Sequence, residues 1–243
     1  MGAIWFASDL HLTAVEDAVF DRFSEFCGRV AADRAAALYL LGDVFEAWVG
    51  DDDDAPLALA VTQRLRALAD AGVAIFITHG NRDFLIGADF AARAGARLLA
   101  EVEIIELAGR RVALLHGDTL CTDDVEYQAV RRQLRDPRWQ QQFLAQPLAA
   151  RRDFAAQARA QSAAHTAMAP AEIMDVNAGA VSALQADTGA DWIIHGHTHR
   201  PAVHELGSGR RRIVLGDWPR AASWLCVDGE QATLAFEGTE VLV

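Results

Sequence analysis

Lysine is missing altogether: all 22 basic residues among the 243 are arginines, set against 34 carboxylates for a formal net charge of -12. That balance excludes nucleic-acid binding through a broad basic surface, which needs clustered positive charge to neutralise phosphates. An anionic ligand must be met by a local exception. Cysteine is scarce as well. Cys27, Cys121 and Cys226 lie far apart with no CxxC spacing, so neither a disulfide framework nor a cysteine zinc site is expected, and a reducing cytoplasm is the natural setting. No run approaches the ~20 apolar residues that span a bilayer. The opening "MGAIWFASDLHL" is apolar for only a few residues and lacks a basic leader, so it does not read as a signal peptide. The expectation is a chain that is soluble or attached to a membrane only at its surface.

What is present is enough apolar residue, 52%, to bury a substantial core. "AIWFAS", "ALYLL" and "VAIFIT" read as short buried strands. Between them, Val19, Phe23, Phe26 and Val30 recur at helical spacing, and "LALAVTQRLRALADAG" reads as a helix ending at Gly72. "EVEIIELAGRRVALLHGD" predicts a hairpin turning at Ala108 and Gly109. From 125 to about 186 strand signals vanish, and Ala- and Arg-rich helices are broken at Pro137, Pro147 and Pro170. Strands return with "DWIIH", "AVHEL", "RIVLGD" and "SWLCVD". This order predicts a single layered α/β domain over 1–243 with a helical cap insertion at about 125–186. The run Asp51 to Asp54 reads as a solvated turn with helix-capping character.

The informative pattern is what ends each strand. "DLH" follows the first, "GD" the second and "HGNRD" the third, while "HGD" follows the hairpin and "HGHTH" follows "DWII". In an α/β sheet the C-terminal strand ends lie along one edge, where ligand sites form. Carboxylate, amide and imidazole groups should therefore converge there. Such donors suit manganese, iron or zinc, and two ions about 3.5–4 Å apart can hold both oxygens of a phosphoryl displacement. Each motif alone can be a turn or a cap. All five in order point to metal-assisted phosphoester or pyrophosphate hydrolysis.

"DLH", "GD", "GNRD", "HG" and "GHTH" resemble the motifs of the calcineurin-like metallophosphoesterases. The longer stretches "LYLLGDVFEAWVGDDD", "HGNRDFLIG", "LLHGDTLCTDD", "EIMDVN" and "IIHGHTHRPAVHEL" are similar to the UDP-2,3-diacylglucosamine pyrophosphohydrolases of lipid A biosynthesis over nearly the whole chain. The resemblance implies a layered metallophosphoesterase β-sandwich flanked by helices, two Mn2+ ions, and hydrolysis of UDP-2,3-diacylglucosamine to UMP and 2,3-diacylglucosamine 1-phosphate by water attacking the α-phosphorus. By resemblance, Asp9, His11, Asp43 and His199 hold one ion and Asp43, Asn81, His116 and His197 the other, with Asp43 bridging. Arg82 stands where many relatives have His; since Arg does not donate a proton at ordinary pH, it is assigned to phosphate oxygens and developing charge. Asp83 and Asp118 are expected to orient ligands, and His195 to pack.

Substrate contacts implied by the resemblance are Asn81, Arg82, Asp124, Ser162, Thr166 and His197. The family's usual lysine before "IMDVN" is replaced at Ala169 and a usual Asn by Thr166, and Arg159 is expected to compensate. Seven arginines and three acids between 125 and 165 give that segment +4 and leave -16 for the rest. A basic, amphipathic cap predicts peripheral contact with an anionic surface, the cytoplasmic face of an inner membrane. Protein partners are not legible. The rival readings are a same-fold phosphoesterase acting on another nucleotide or phosphodiester, and a non-enzymatic scaffold.

Overall fold

The computed structural model describes residues 2–168 and 173–243, and the side chains of these apart from 163–168. Three short apolar runs become the parallel strands β1 (Ile4–Ala7), β2 (Ala37–Leu40) and β3 (Ala74–Ile77), joined by helices α1 (Ala18–Ala32) and α2 (Pro56–Asp70). Helix α1 starts where the Asp17 carboxylate accepts from the Val19 amide, and it buries the expected stripe of Val19, Phe23, Phe26 and Val30. A short helix α3 (Ala88–Ala94) leads to β4 (Ala96–Leu98) at one edge of this sheet. Neither was anticipated, because three and seven residues are too few to show a period.

The hairpin forms as β5 (Val102–Leu107) and β6 (Arg110–Leu115), with Ala108 and Gly109 both at positive φ, 50° and 74°. Two left-handed residues make the tight turn whose twist matches paired strands. After the helices come β7 (Trp192–His195), β8 (Ala202–Gly207), β9 (Arg210–Val214), β10 (Trp224–Asp228), β11 (Gln231–Phe236) and β12 (Thr239–Leu242). The strands form a seven-stranded sheet, ordered β12-β11-β10-β1-β2-β3-β4, and a five-stranded sheet, β5-β6-β7-β9-β8.

Alternation along the strands explains why the sheets stack. Phe6, Tyr39, Leu114, Trp192, Ile194, Ile213 and Leu225 point between them into one core. Their neighbours Trp5, Leu38, Leu40, Ile75 and Ile77 face α1 to α3, and Ala113, Leu115 and Ile193 face outward on the second sheet. Each such large side chain stabilises the fold by roughly 1.5–3 kcal/mol when fully buried. Because β1, β2 and β3 are parallel in one sheet and β6, β7 and β9 in the other, the ends carrying the polar motifs gather at one rim.

Between β6 and β7 lie α4 (Val125–Leu134), α5 (Pro137–Leu144), α6 (Leu148–Met168) and α7 (Ala178–Thr188). Val181 of α7 is buried in the core beneath the second sheet, with Ala180 and Leu184 packed beside it, so α7 is a layer of the sandwich. Helices α4 to α6 stand over the rim, and an aromatic stack of Trp139, Phe143 and Phe154 joins α5 to α6 and reaches Phe84 of the sandwich.

The acidic run at 51–54 is a turn with capping character, Asp52 and Asp54 exposed, but it also pairs with the helical cap. Asp51 accepts from the amides of Gly87 and Phe90, capping α3, and Asp52 grips Arg151 of α6 through two hydrogen bonds. Asp53 and Asp54 both pair with Arg152. Arg151 is 2% exposed and also donates to the carbonyls of Gln146 and Val49. Truncation in Arg151→Ala strands those acceptors, and unfolding in urea should show a loss of about 1–3 kcal/mol; an unchanged midpoint would count against α6 being held here.

Candidate dinuclear metal centre

Backbone pairing continues past the ends of β1 and β2. The Asp9 amide donates to Gly42 O at 3.0 Å, His11 to Asp43 O at 2.9 Å, Leu12 to Val44 O at 3.0 Å and Glu46 to Leu12 O at 3.1 Å. This lays "DLH" beside "GDVFE", side chains toward the rim. Five of the expected ligands adopt left-handed backbone to turn inward: Asp9 (56°), His11 (49°), Asp43 (53°), His197 (64°) and His199 (54°). Non-glycine residues rarely accept that conformation, and such strain collects at functional sites. The neighbouring glycines are required by space. A Cβ on Gly80 would lie 2.1 Å from Asp43 Oδ1, and one on Gly196 would lie 2.0 Å from Asp9 Oδ2.

All seven expected ligands come together. Ligand atoms of Asp9, His11 and His199 lie mutually within 4.8 Å, as do those of Asp9, Asp43 and His116. Asp43 Oδ2 is 3.8 Å from His11 Nε2 and 3.7 Å from His116 Nε2, within reach of both groups, and Asp9 is common to the two. The Asn81 side-chain amide lies 2.9 Å from His116 Nε2 and 3.0 Å from His197 Nδ1, its NH2 satisfying both rings while its oxygen accepts from Arg82 Nε at 3.3 Å. Fixed tautomers sharpen this. His11 Nδ1 meets Glu46 Oε2 at 2.8 Å and His116 Nδ1 meets Leu41 O at 2.9 Å, so both rings turn Nε2, the nitrogen free to take a metal once deprotonated, toward the rim. His11 Nε2 then stands 3.2 Å from His199 Nε2, and that nitrogen stands 3.2 Å from Asp9 Oδ1. Imidazole nitrogens and carboxylate oxygens gathered this closely fit a cation in place of the protons they hold. Nitrogen and oxygen donors without thiolate suit manganese, iron or zinc.

The electrostatics agree. Burial raises the Asp43 carboxyl above its ordinary range, and the neighbouring His116 and His11 only partly offset it. For Asp9 burial acts in the same sense, but His199, His116 and His11 outweigh it and hold the carboxylate low. Burial alone would lower His11; its hydrogen bond to Glu46 and the charges of Asp43 and Asp9 instead raise it to about 9. His197 is driven down to about 4 by burial and by His116. His195 is fully buried, with Nδ1 on Gly196 O at 2.8 Å and Nε2 accepting from Arg212 at 3.1 Å, and burial takes it to about 3. Both ring nitrogens are occupied, so it packs rather than ligates.

Asp83 accepts from the amides of Gly80, Asp43 and Val44, fixing the loop beneath the ligands. Asp118 is held by Tyr127 and Arg131 of α4. Arg82 donates its amide to Asp43 Oδ1 at 2.8 Å and its guanidinium to Ser162 Oγ at 3.4 Å. Asp124 caps α4 through the Tyr127 amide. Arg159, expected at the substrate, has its Nε 2.7 Å from Glu46 Oε1. The side chain of Thr166, like Ala169, lies outside what the structure describes. Reading the sequence missed Glu46, Tyr127 and Arg131. Glu46 alone left a trace, three residues beyond the "GD" aspartate.

A model of the calcineurin-like phosphoesterases matches residues 2–201. UDP-2,3-diacylglucosamine hydrolase of Cellvibrio japonicus is 51% identical over 97% of this chain and 98% of its own. The protein of that name from Escherichia coli is 46% identical over 96% and 98%. Among solved structures, a dimetal phosphatase from Danio rerio covers 100% of the chain and 98% of its own at TM-score 0.56 and 11% identity, a likeness of fold.

Gly196→Ala forces a methyl against Asp9 Oδ2 and Ser8 Oγ. It should abolish high-affinity binding of divalent metal in equilibrium dialysis, whereas retained binding would show the rim to be looser than drawn. A cation on His11 Nε2 must displace the proton held up to about pH 9. Titration calorimetry of manganese into metal-free protein at pH 7.5, run in two buffers, should therefore show about one proton or more released per protein, and affinity should fall as pH falls. Zero release would refute the assignment.

Proposed function

The chain belongs to the calcineurin-like phosphoesterases, and from that footing we propose that it hydrolyses the pyrophosphate of UDP-2,3-diacylglucosamine in lipid A biosynthesis, giving UMP and 2,3-diacylglucosamine 1-phosphate. One observation carries the reading: the rim opens directly into an apolar cavity of about 460 Å³. Asn81 and Arg82 stand at its polar end, and Trp48, Phe84, Val130, Trp139 and Phe154 line its length between the sandwich and α4 to α6. A nucleotide hydrolase acting on small polar esters has no use for such a lining. Acyl chains do.

The two cation positions are assigned as before, Asp9, His11, Asp43 and His199 for one and Asp43, Asn81, His116 and His197 for the other, and manganese is the ion. When bound, the pair supplies charge neutralisation and a water of lowered pKa. The side chains supply the geometry. Asn81 and Arg82, with Asp124, Ser162, Thr166 and His197, hold the substrate so that the α-phosphorus faces the rim. The Arg82 guanidinium, bridging Asp43 and Ser162, meets the phosphate oxygens on which charge builds. The departing sugar 1-phosphate is a stable anion and needs no proton donor, in keeping with an arginine where a general acid would stand.

Membrane contact is proposed through the cap, on different grounds from charge. Arg131, Arg151, Arg152 and Arg159 are paired with acids of the catalytic body. The basic excess of the insert is thus largely neutralised within the molecule. Exposed Val125, Val130, Leu144 and Phe154 remain on α4 to α6, and two of them line the cavity, so the apolar rim admits lipid from a bilayer surface. No helix among the described residues is long and apolar enough to cross a membrane.

Purified protein with manganese should release UMP from UDP-2,3-diacylglucosamine but not from UDP-N-acetylglucosamine, and should leave a chromogenic phosphodiester nearly untouched. In 18O-labelled water the label should appear in UMP. Equal turnover of all three substrates would favour a broad phosphoesterase, and label in the sugar phosphate would place the attack on the other phosphorus.

A further inference from the structure

We infer that Glu46 and Arg159 are positioning residues for His11, so that the helical cap sets the affinity of one cation position without touching the cation. Glu46 holds two partners at once. Its Oε2 lies 2.8 Å from His11 Nδ1, and its Oε1 lies 2.7 Å from Arg159 Nε on α6, 113 residues away in sequence. The main chain at Glu46 is tied to Leu12 O, immediately beside His11, so the carboxylate has little freedom except about its own side chain.

His11 and His116, both turning Nε2 inward, are therefore oriented by different means. His116 is fixed by Leu41 O, a main-chain carbonyl of the sandwich that no cap movement alters. His11 is fixed by a carboxylate that is one-third exposed and whose second oxygen is anchored to the cap. Without Arg159, Glu46 can turn to water and His11 loses both its tautomer and its aim. Partners of this kind on metal-bound histidines alter metal affinity about 10–100-fold when removed. The asymmetry predicts that only the His11 position responds.

The inference rests on the two-cation reading of the rim but not on the substrate, so it is tested by binding alone. Metal-free protein is titrated with manganese while the free ion is followed by electron paramagnetic resonance. Wild-type protein should bind two equivalents. E46Q should weaken one of them by about 10-fold or more and leave the other unchanged. R159Q should weaken the same equivalent less, R159K should restore part of it, and E46Q/R159Q should be no worse than E46Q. Arg138→Ala on α5, outside this arrangement, should change neither. By linkage, manganese should slow amide exchange in α6 around Arg159 in the wild type but not in E46Q.

Equal weakening of both equivalents in E46Q, with a lowered Tm, would mean a merely structural role and overturn the inference. So would R159Q binding like the wild type. Fewer than two equivalents in the wild type would overturn the two-cation reading itself. Two equivalents with no response to E46Q would overturn only the role of Glu46.

Discussion

Crowding lone pairs together at one buried rim is the constraint on which this structure turns. Asp9, His11, Asp43, Asn81, His116, His197 and His199 all face inward, several within 3.2 Å of one another. Such a cluster forfeits hydration, and positive charge drawn into it, protons on the imidazoles or a cation in their place, offsets that cost. The fold nevertheless specifies it at every level: left-handed backbone at five of the seven residues, glycines whose Cβ atoms would collide with Asp9 and Asp43, and outer hydrogen bonds that fix which imidazole nitrogen is bare. Features that cost stability in the metal-free chain are the ones a cation makes favourable.

A second electrostatic theme lies in the partition of charge along the chain. The insert and the remainder carry opposite balances, and the structure shows them spent on each other. Four acids in succession, Asp51 to Asp54, serve as a seam: the first caps α3, and the other three hold Arg151 and Arg152. Farther along the same helix Arg159 meets Glu46 and Ser162 meets Arg82. On the opposite side Asp118 receives Tyr127 and Arg131 from α4. The cavity is thus bounded by a roof whose polar fastenings end at residues that shape the rim.

Much of this was legible in the sequence, for identifiable reasons. Strands such as "ALYLL" are short, wholly apolar and closed by Gly-Asp, so both the element and the location of its polar end could be read. The hairpin turn was marked by glycine and by alternation on either side. What escaped was set by tertiary context. Strand β12 is an exposed edge, β11 beside it mixes small and polar residues, and β4 has three residues. The acidic run looked solvated because nothing local marks arginines about a hundred residues later as its partners. Glu46 and Arg159 carry no signal of their pairing, since a carboxylate beside a metal motif and an arginine in an amphipathic helix are each unremarkable alone. The basic balance of the cap was correctly counted, but composition cannot say which surface a charge faces.

The position of the helical excursion has a bearing on how the chain reaches its native state. Strands β6 and β7 are hydrogen-bonded neighbours in parallel register, yet α4 to α7 intervene between them. Closing that long loop costs chain entropy that only the finished pairing offsets, which makes this step non-local and slow relative to forming the β5–β6 hairpin. His116 sits at one end of the excursion and His197 just beyond the other. His197 and His199 follow β7 and are assigned to different cation positions, so neither position is complete until β7 has docked. An ion held by both sets of donors would therefore act as a latch on completed assembly rather than as a seed for it.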